Sequence, residues 1–364
     1  MALQEKIVRW VRRFTDVPVA GMDISDRSIK CVKFGRGRSD FFEAFGETEL
    51  PEGVIVGGEI RREEEAARIL SDLARREQCL RGSAVVASLP EEKSFLRSLR
   101  LKNVKPEDIA GAVRWEIENQ IPLPAENLIY DFETAPSRVG ADEYRDVVLT
   151  AFPKELVNSY VRMFKNAGLR LAALELESQA IVRATVSEDA AQGVRVIVDM
   201  GRNRTSFAIV AAGRIAFTAT VAVGGQMLEE RIAQSLGVDQ SEALRIKNEV
   251  GLAKSFSEGK IFSALIPAVS AFADELQRTI QAYQSHLEHA EGAGAGIAEI
   301  LLSGGDANLL GLDTYLAGVT RIPCRRADSF AALRPRMGGG IPPIPYRESL
   351  AYAAAIGLAL RQTV

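Results

Sequence analysis

The sequence predicts an α/β protein built from two similar lobes, and two related hairpins are the main observation behind this. In residues 194–210 a β-branched run ends at Asp199, a short polar turn follows, and an apolar run resumes after Thr205. Residues 19–34 repeat the pattern, with Asp23 at the end of a strand and a polar turn over Ser25–Ser28. The two acids lie roughly 175 residues apart, and 364 residues exceed one ordinary core. Two lobes, each with one such hairpin, are therefore expected.

The residues of these turns suit a charged ligand. Backbone N–H groups of such a turn can bind phosphate oxygens, Thr205 can add a hydroxyl, and the two acids can hold a cation through water. Lys30 follows Asp23 by seven residues, so its ammonium can reach into the first turn. Two unrelated surface turns are the alternative interpretation, and for either hairpin alone it is the better one.

A third element favours the ligand-binding interpretation. Residues 298–309 (AEILLSGGDANL) form an apolar strand that breaks at Ser303-Gly304-Gly305 before a helix. Paired glycines let the backbone approach a flat ring or a phosphate, where a Cβ would clash.

The remaining elements follow from periodicity and from breaker residues. Acids in the first turn and arginines near the end predict a helix over 62–76, in keeping with the helix dipole. A block with its own β-α-β-β-α pattern covers residues 94–165. The sequence further predicts β runs over 22–50, a strand over 83–89, a mainly helical region over 225–289, a loop-rich excursion over 321–345 and a small-residue helix over 349–360.

Composition and charge exclude several classes of protein. The net charge of −3 argues against nucleic-acid binding by bulk electrostatics. The sequence has neither a signal peptide nor an apolar run long enough to span a bilayer, and three scattered cysteines suggest neither disulfides nor zinc. A cytoplasmic location is expected. Residues 1–16 predict a basic amphipathic helix, which fits weak, reversible membrane-surface contact and packing on a protein surface equally well.

Together, these features resemble the actin-like ATPases, and within that group the PilM family of type IV pilus assembly. The matching stretches occur in the family's order over nearly the whole chain: 23–30, 113–124, 149–168, 174–184, 199–205, 223–225, 303–308 and 354–361. The resemblance implies an actin-like (ribonuclease H-like) fold with four subdomains. These are 1A (17–93, 166–192 and 346–364), 1C (94–165), 2A (193–224 and 297–345) and 2B (225–296).

The resemblance also implies ATP or ADP with Mg²⁺ between the lobes. Asp23 and Asp199 would hold Mg²⁺ through water, and Glu177 is where a water-orienting catalytic acid would lie. The implied nucleotide-binding residues are Ser25, Asp26, Arg27, Ser28, Lys30, Gly201, Arg202, Asn203, Thr205, Gly225, Lys247, Gly304, Gly305 and Asn308.

The chain departs from the family pattern at three places. Ser25-Asp26 replaces the usual Gly-Ser, and Asp26 could repel the nucleotide or join Asp23 at a metal. The helix of 2B keeps Lys247 but lacks the usual glutamate, because residues 243–247 read ALRIK. Arg202 and Arg204 replace small residues, where they could compensate for Asp26 or face solvent. Binding with at most slow hydrolysis is therefore expected.

Three functions compete under this resemblance. The first is a scaffold peripheral to the inner membrane that binds the N-terminal cytoplasmic peptide of a PilN-type protein between 1A and 1C. The second is a self-associating, filament-forming protein of the FtsA type. The third, a small-molecule kinase, lacks an acidic catalytic base in a recognisable sugar-binding motif. The related cytoplasmic domain of a type II secretion L-type protein is a further alternative, although that protein continues into a transmembrane helix.

Two other residue sets have ordinary explanations. His286 and His289 could ligate a metal from one helix face, but no third ligand accompanies them, and an exposed polar helix end is the better interpretation. Trp115 could anchor a partner, and a core position inside 1C is an equal alternative.

Overall fold

The computed structural model describes residues 19–35, 42–134, 144–187, 193–253, 259–288, 296–337 and 340–361. The predicted helix over 1–16 and His289 lie outside the described residues. The strands are β1 Val19–Ile24, β2 Ser28–Phe34, β3 Phe42–Glu49, β4 Ile55–Val56, β5 Glu59–Ile60, β6 Ala84–Leu89, β7 Phe95–Lys102, β8 Leu128–Thr134, β9 Tyr144–Pro153, β10 Arg170–Leu176, β11 Val194–Met200, β12 Thr205–Ala211, β13 Arg214–Val221, β14 Ile297–Ser303 and β15 Cys324–Arg326. The helices are α1 Glu63–Arg76, α2 Ile109–Gln120, α3 Lys154–Asn166, α4 Glu177–Thr185, α5 Gly225–Leu236, α6 Gln240–Glu249, α7 Lys260–Glu288, α8 Leu312–Thr320, α9 Tyr346–Ser349 and α10 Ala353–Ala359.

Two five-stranded sheets share one topology, which confirms the predicted pair of similar lobes. The first sheet has the order β3-β2-β1-β6-β10, and the second has the order β13-β12-β11-β14-β15. In each sheet three consecutive strands pair antiparallel, a fourth strand pairs in parallel with the first of them, and a fifth pairs in parallel with the fourth. Each lobe is therefore one copy of the same folding pattern, and β1 and β11 occupy equivalent central positions.

A third sheet, of order β7-β9-β8, forms a small unit inserted into the first lobe. Its own core includes Leu99, Val147 and Leu149 on the strands and Val113 and Ile117 on α2. The sequence extends this unit to residue 165. Helix α3 instead packs its buried face, which includes Tyr160 and Phe164, within the main core of the molecule.

Helix α10 packs between β1 of the first sheet and α4, the helix that precedes the second lobe in the chain. A Cβ placed on Gly357 would lie 1.8 Å from the carbonyl oxygen of Ala180, and one placed on Gly21 would lie 2.1 Å from that of Ala355. Both glycines are required because the backbones approach more closely than any side chain permits. The predicted small-residue helix near the C-terminus thus packs closely on its neighbours at Gly357.

The hairpin acids lie at the carboxyl ends of the central strands. Asp23 ends β1, and Asp199 lies beside Ser303 in the parallel pairing of β11 with β14. Ligands of α/β sheets commonly bind at this end of the strands. Within the described residues, no helix has the length and hydropathy needed to cross a membrane.

Candidate functional site

A cavity of about 460 Å³ lies between the two hairpin turns. This volume is within the range of small-molecule sites. Both predicted acids and Glu177 line the cavity, although long stretches of sequence separate them. The other predicted residues that line it are Ser25, Asp26, Arg27, Ser28, Lys30, Gly201, Arg202, Asn203, Gly304 and Gly305.

Strand register decides which side chains accompany the two acids. Asp23 is paired across its hairpin with Lys30, and Asp199 is paired across its own with Ser206. Directly paired residues of antiparallel strands project from the same face of a sheet. Both pairs therefore line the cavity, and the two hairpins contribute equivalent positions to it.

The first turn is closed by its own serines. The hydroxyl of Ser25 accepts hydrogen bonds from the N–H groups of Arg27 (3.4 Å) and Ser28 (3.1 Å). Lys30 Nζ donates to the Ser28 hydroxyl at 2.6 Å and pairs with Glu47 at 2.9 Å. The ammonium of Lys30 thus reaches into the turn, as the spacing predicts.

The second turn is held by the chain that enters α5. The N–H of Gly225 donates to Gly201 O at 3.1 Å, and the N–H of Gln226 donates to Arg202 O at 2.8 Å. A Cβ on Gly224 would lie 2.4 Å from Arg202 O, so glycine is required for this approach. Any ligand at this turn is consequently coupled to the first helix of the predicted 2B.

Three carboxyl groups in the cavity are buried near one another, and this burial and their mutual repulsion disfavour their ionised forms. Burial, followed by repulsion from Asp23, raises the pKa of Asp199 to about 7. Burial also raises the pKa of Asp23, against the attraction of Lys30 and a hydrogen bond of 2.9 Å from Ser88 Oγ. Burial and the Asp23 charge raise the pKa of Glu177 well above its ordinary value. A bound cation would relieve this repulsion.

Asp23 and Asp199 fit the predicted Mg²⁺ site. Their oxygens are the hard donors that Mg²⁺ prefers, and since burial raises the pKa of both carboxyls, a bound cation would favour their ionised forms. No group of three or more His, Cys, Asp or Glu side chains in the described part of the chain is arranged to hold a metal. Two carboxylates acting through waters suit Mg²⁺ better than a site made of protein ligands alone.

Four predicted site residues do not line the cavity. Thr205 is fully buried, and its hydroxyl donates to Val223 O at 2.6 Å, because strand alternation points Ser206 toward the cavity instead. Asn308 donates from Nδ2 to Arg347 O at 2.8 Å, beside the cavity rather than in it.

Lys247 and Gly225 meet at one buried acid. Lys247 is 3% exposed; it bonds Glu229 at 2.6 Å and also bonds Asp306. Gly225 lies against the Asp306 carboxylate, which a Cβ there would meet at 2.1 Å. In this structure the Lys247 ammonium is paired with these two acids and does not line the cavity, and its contact with a nucleotide stays a prediction.

The structure adds site residues that the sequence interpretation did not assign. Ser206 and Asp306 line the cavity, and Arg204 projects into it between the lobes. Hairpin register identifies Ser206 as the partner of Asp199, and the paired glycines end directly before Asp306. Arg204 does compensate Asp26, one of its two predicted alternatives, with a separation of 3.6 Å.

Comparison with known proteins identifies the family. The profile described as "Type IV pilus assembly protein PilM" matches residues 21–363. The chain belongs to the PilM family. It is also 24% identical to the cell division protein FtsA of Bacillus subtilis (strain 168) in an alignment 180 residues long, which covers 45% of this chain and 40% of FtsA.

Solved structures show the same actin-like fold. The PilM-PilN type IV pilus biogenesis complex contains a chain with a TM-score of 0.74 and 22% identity, covering 94% of this chain and 97% of that one. MreB5 of Spiroplasma citri bound to ADP gives a TM-score of 0.53 and 14% identity, covering 88% of this chain and 95% of that one. The predicted actin-like fold of this PilM-family chain is thus confirmed.

Proposed function

We propose that this PilM-family chain is a nucleotide-binding scaffold of the type IV pilus assembly platform at the inner membrane. One observation carries the nucleotide part: equivalent hairpins of two lobes bring Asp23 and Asp199 to one cavity. The actin-like relative MreB5 of Spiroplasma citri is described as bound to ADP, which supports the same ligand class here.

The residues of the cavity divide the work by charge. Lys30, Arg27 and Arg202 would bind phosphate oxygens, together with backbone N–H groups of the two turns. Asp23 and Asp199 would hold Mg²⁺, which neutralises phosphate charge when bound. Gly304 and Gly305 would leave space for the nucleoside.

Hydrolysis would be slow because Glu177, the residue expected to orient the attacking water, has a pKa that is poorly suited to this role. Glu177 begins α4 and lines the cavity. Burial and the Asp23 charge raise the pKa of Glu177, which disfavours the ionised carboxylate that would accept a proton from water. Positioning and charge neutralisation, which are most of phosphoryl-transfer catalysis, then give binding with little turnover.

The partner would be an extended N-terminal peptide of a PilN-type protein. The structure similar to this chain is a PilM-PilN complex. In the small sheet, β8 is an edge strand that pairs only with β9 among the described strands. Its Ile129 is 42% exposed, and Val161 on the nearby α3 is 44% exposed. An added peptide strand would gain main-chain hydrogen bonds at this edge and apolar contacts beside it.

Two titrations test the proposal. A fluorescent ATP analogue with Mg²⁺ should bind wild type, and Asp199→Asn should weaken binding at least tenfold by removing a metal ligand. Asp274→Asn, an exposed change on α7, is the matched control and should leave affinity unchanged.

A PilN-type peptide should bind wild type and Leu244→Asp but lose affinity for Ile129→Asp. If Asp199→Asn and Asp274→Asn bind the nucleotide equally well, the proposed nucleotide site is wrong. If Ile129→Asp and Leu244→Asp bind the peptide equally well, the proposed peptide surface is wrong.

The FtsA similarity supports a second candidate, a filament-forming protein. Sedimentation with and without Mg-ATP distinguishes the two functions. A scaffold should stay in the supernatant while binding the peptide, whereas a filament should pellet in a nucleotide-dependent way.

A further inference from the structure

The carboxylate of Asp26 contacts both lobes, and each of its two oxygens has partners. Within its own lobe, its carboxylate accepts the N–H groups of Gly57 (3.0 Å) and Gly58 (2.9 Å). From the second lobe, Asn203 Nδ2 donates to it at 3.3 Å and Arg204 pairs with it at 3.6 Å. Asp26 is only 9% exposed. Its charge is compensated by Arg204, and its two expected effects, repulsion of the nucleotide and a shared metal with Asp23, stay predictions.

Arg204, a residue of the second lobe, has a second ion-pair partner in the first lobe. Its guanidinium also pairs with Glu92, which lies just beyond β6. The same positive charge opposes the raised pKa of both Asp23 and Asp199. Arg204 of the second lobe therefore interacts with five carboxylates between the two turns where phosphates would bind: those of Asp23, Asp26, Glu92, Glu177 and Asp199.

We propose that Asp26, Asn203 and Arg204 form an interlobe clasp that holds the turns together without nucleotide. Competition between phosphate and this clasp for Arg204 rests on the proposed nucleotide-binding function. Phosphate oxygens are bidentate partners of arginine and would draw Arg204 from Asp26 and Glu92. Nucleotide binding would then exchange a bond between lobes for a bond to the ligand. The bound state would release Asp26 from the second lobe.

The clasp lowers the apparent affinity for nucleotide. If only a fraction of molecules has Arg204 free to bind phosphate, the apparent dissociation constant rises in inverse proportion to that fraction. Weakening the clasp on the Asp26 side should therefore tighten nucleotide binding, although it removes a contact from the unliganded protein. Direct repulsion of phosphate by Asp26 predicts the same sign, but it predicts no change in the distance between the lobes without nucleotide.

The experiment compares three variants in the whole chain. Asp26→Asn keeps the size of the side chain but removes its charge toward Arg204. Arg204→Gln removes both the clasp and the phosphate partner. Glu52→Gln is the control, because Glu52 pairs with Arg27 of the same lobe at 3.5 Å and is exposed. Spin labels at two exposed positions, Arg61 and Glu230, report the distance between lobes.

The two readouts should separate these variants. Without nucleotide, Asp26→Asn and Arg204→Gln should both broaden the interlobe distance distribution, while Glu52→Gln should match wild type. Affinity for the Mg-ATP analogue should rise about fivefold or more for Asp26→Asn and fall about tenfold for Arg204→Gln.

Two results overturn the inference. An unchanged interlobe distance in Asp26→Asn shows that no clasp exists, and weaker nucleotide binding by that variant shows that Asp26 does not compete. Failure of the proposed function looks different, since wild type and every variant would then bind no nucleotide. That outcome eliminates the competition, while the spin-label distances still decide whether the clasp holds the lobes.

Discussion

The pH dependence of stability gives a direct measure of the buried acids at the lobe interface. Burial and the Asp23 charge raise the pKa of Asp199 from 3.8 to about 7. A carboxyl with a raised pKa makes the folded state bind its proton more tightly than the unfolded state does. Its stabilising contribution is fully present below about pH 4 and is lost as the pH rises through about 7. A pKa difference of about 3, at 1.36 kcal/mol for each unit, corresponds to about 4 kcal/mol over this interval.

Urea unfolding without metal or nucleotide measures this contribution. The free energy of unfolding of wild type should fall as the pH is raised from about 5 to about 8. Asp199→Asn should have a weaker pH dependence because the amide does not titrate, although Asp23 and Glu177, whose pKa values are also raised, still contribute; Asp274→Asn should follow wild type. Mg²⁺ should restore more stability at the higher pH, since it binds the ionised carboxylates. Parallel pH profiles for wild type and Asp199→Asn would refute the assigned pKa and the electrostatic reasoning built on it.

Three further predictions concern packing and charge. Gly357→Ala should lower the free energy of unfolding by about 3 kcal/mol, since its Cβ meets the Ala180 carbonyl; Gly318→Ala, in open space on α8, should be neutral or stabilising in the same denaturation assay. Lys247→Met should cost about 3 kcal/mol, because it removes the cation that pairs with Asp306 and one of the two that pair with the buried Glu229, and unchanged stability would contradict this pairing. Trp115→Ala should change stability by less than about 0.5 kcal/mol, because the side chain is 63% exposed; a large loss of melting temperature would restore its interpretation as a core residue.

The sequence was sufficient for features that depend on local pattern. The two hairpins and the break at Gly304 follow from alternation, turn residues and glycine, which act over a few neighbouring positions. The helices over Glu63–Arg76 and Ile109–Gln120 lie where apolar periodicity and charge predict them. The small sheet was also predictable, although the packing of α3 on the main core was not.

Tertiary structure decided how charged and aromatic side chains are used. Lys247 looks like a ligand residue until its pairing with Glu229 and Asp306 is known, and Trp115 is exposed because Val113 and Ile117 take the buried face of its helix. Similarly, Ser206 replaces Thr205 in the cavity through the register of a hairpin. The sequence by itself determined two lobes with an acid at each central strand. Only the fold decided that Asp26 meets Asn203 across 177 positions, because charge pairing depends on distance in space and burial rather than on order along the chain.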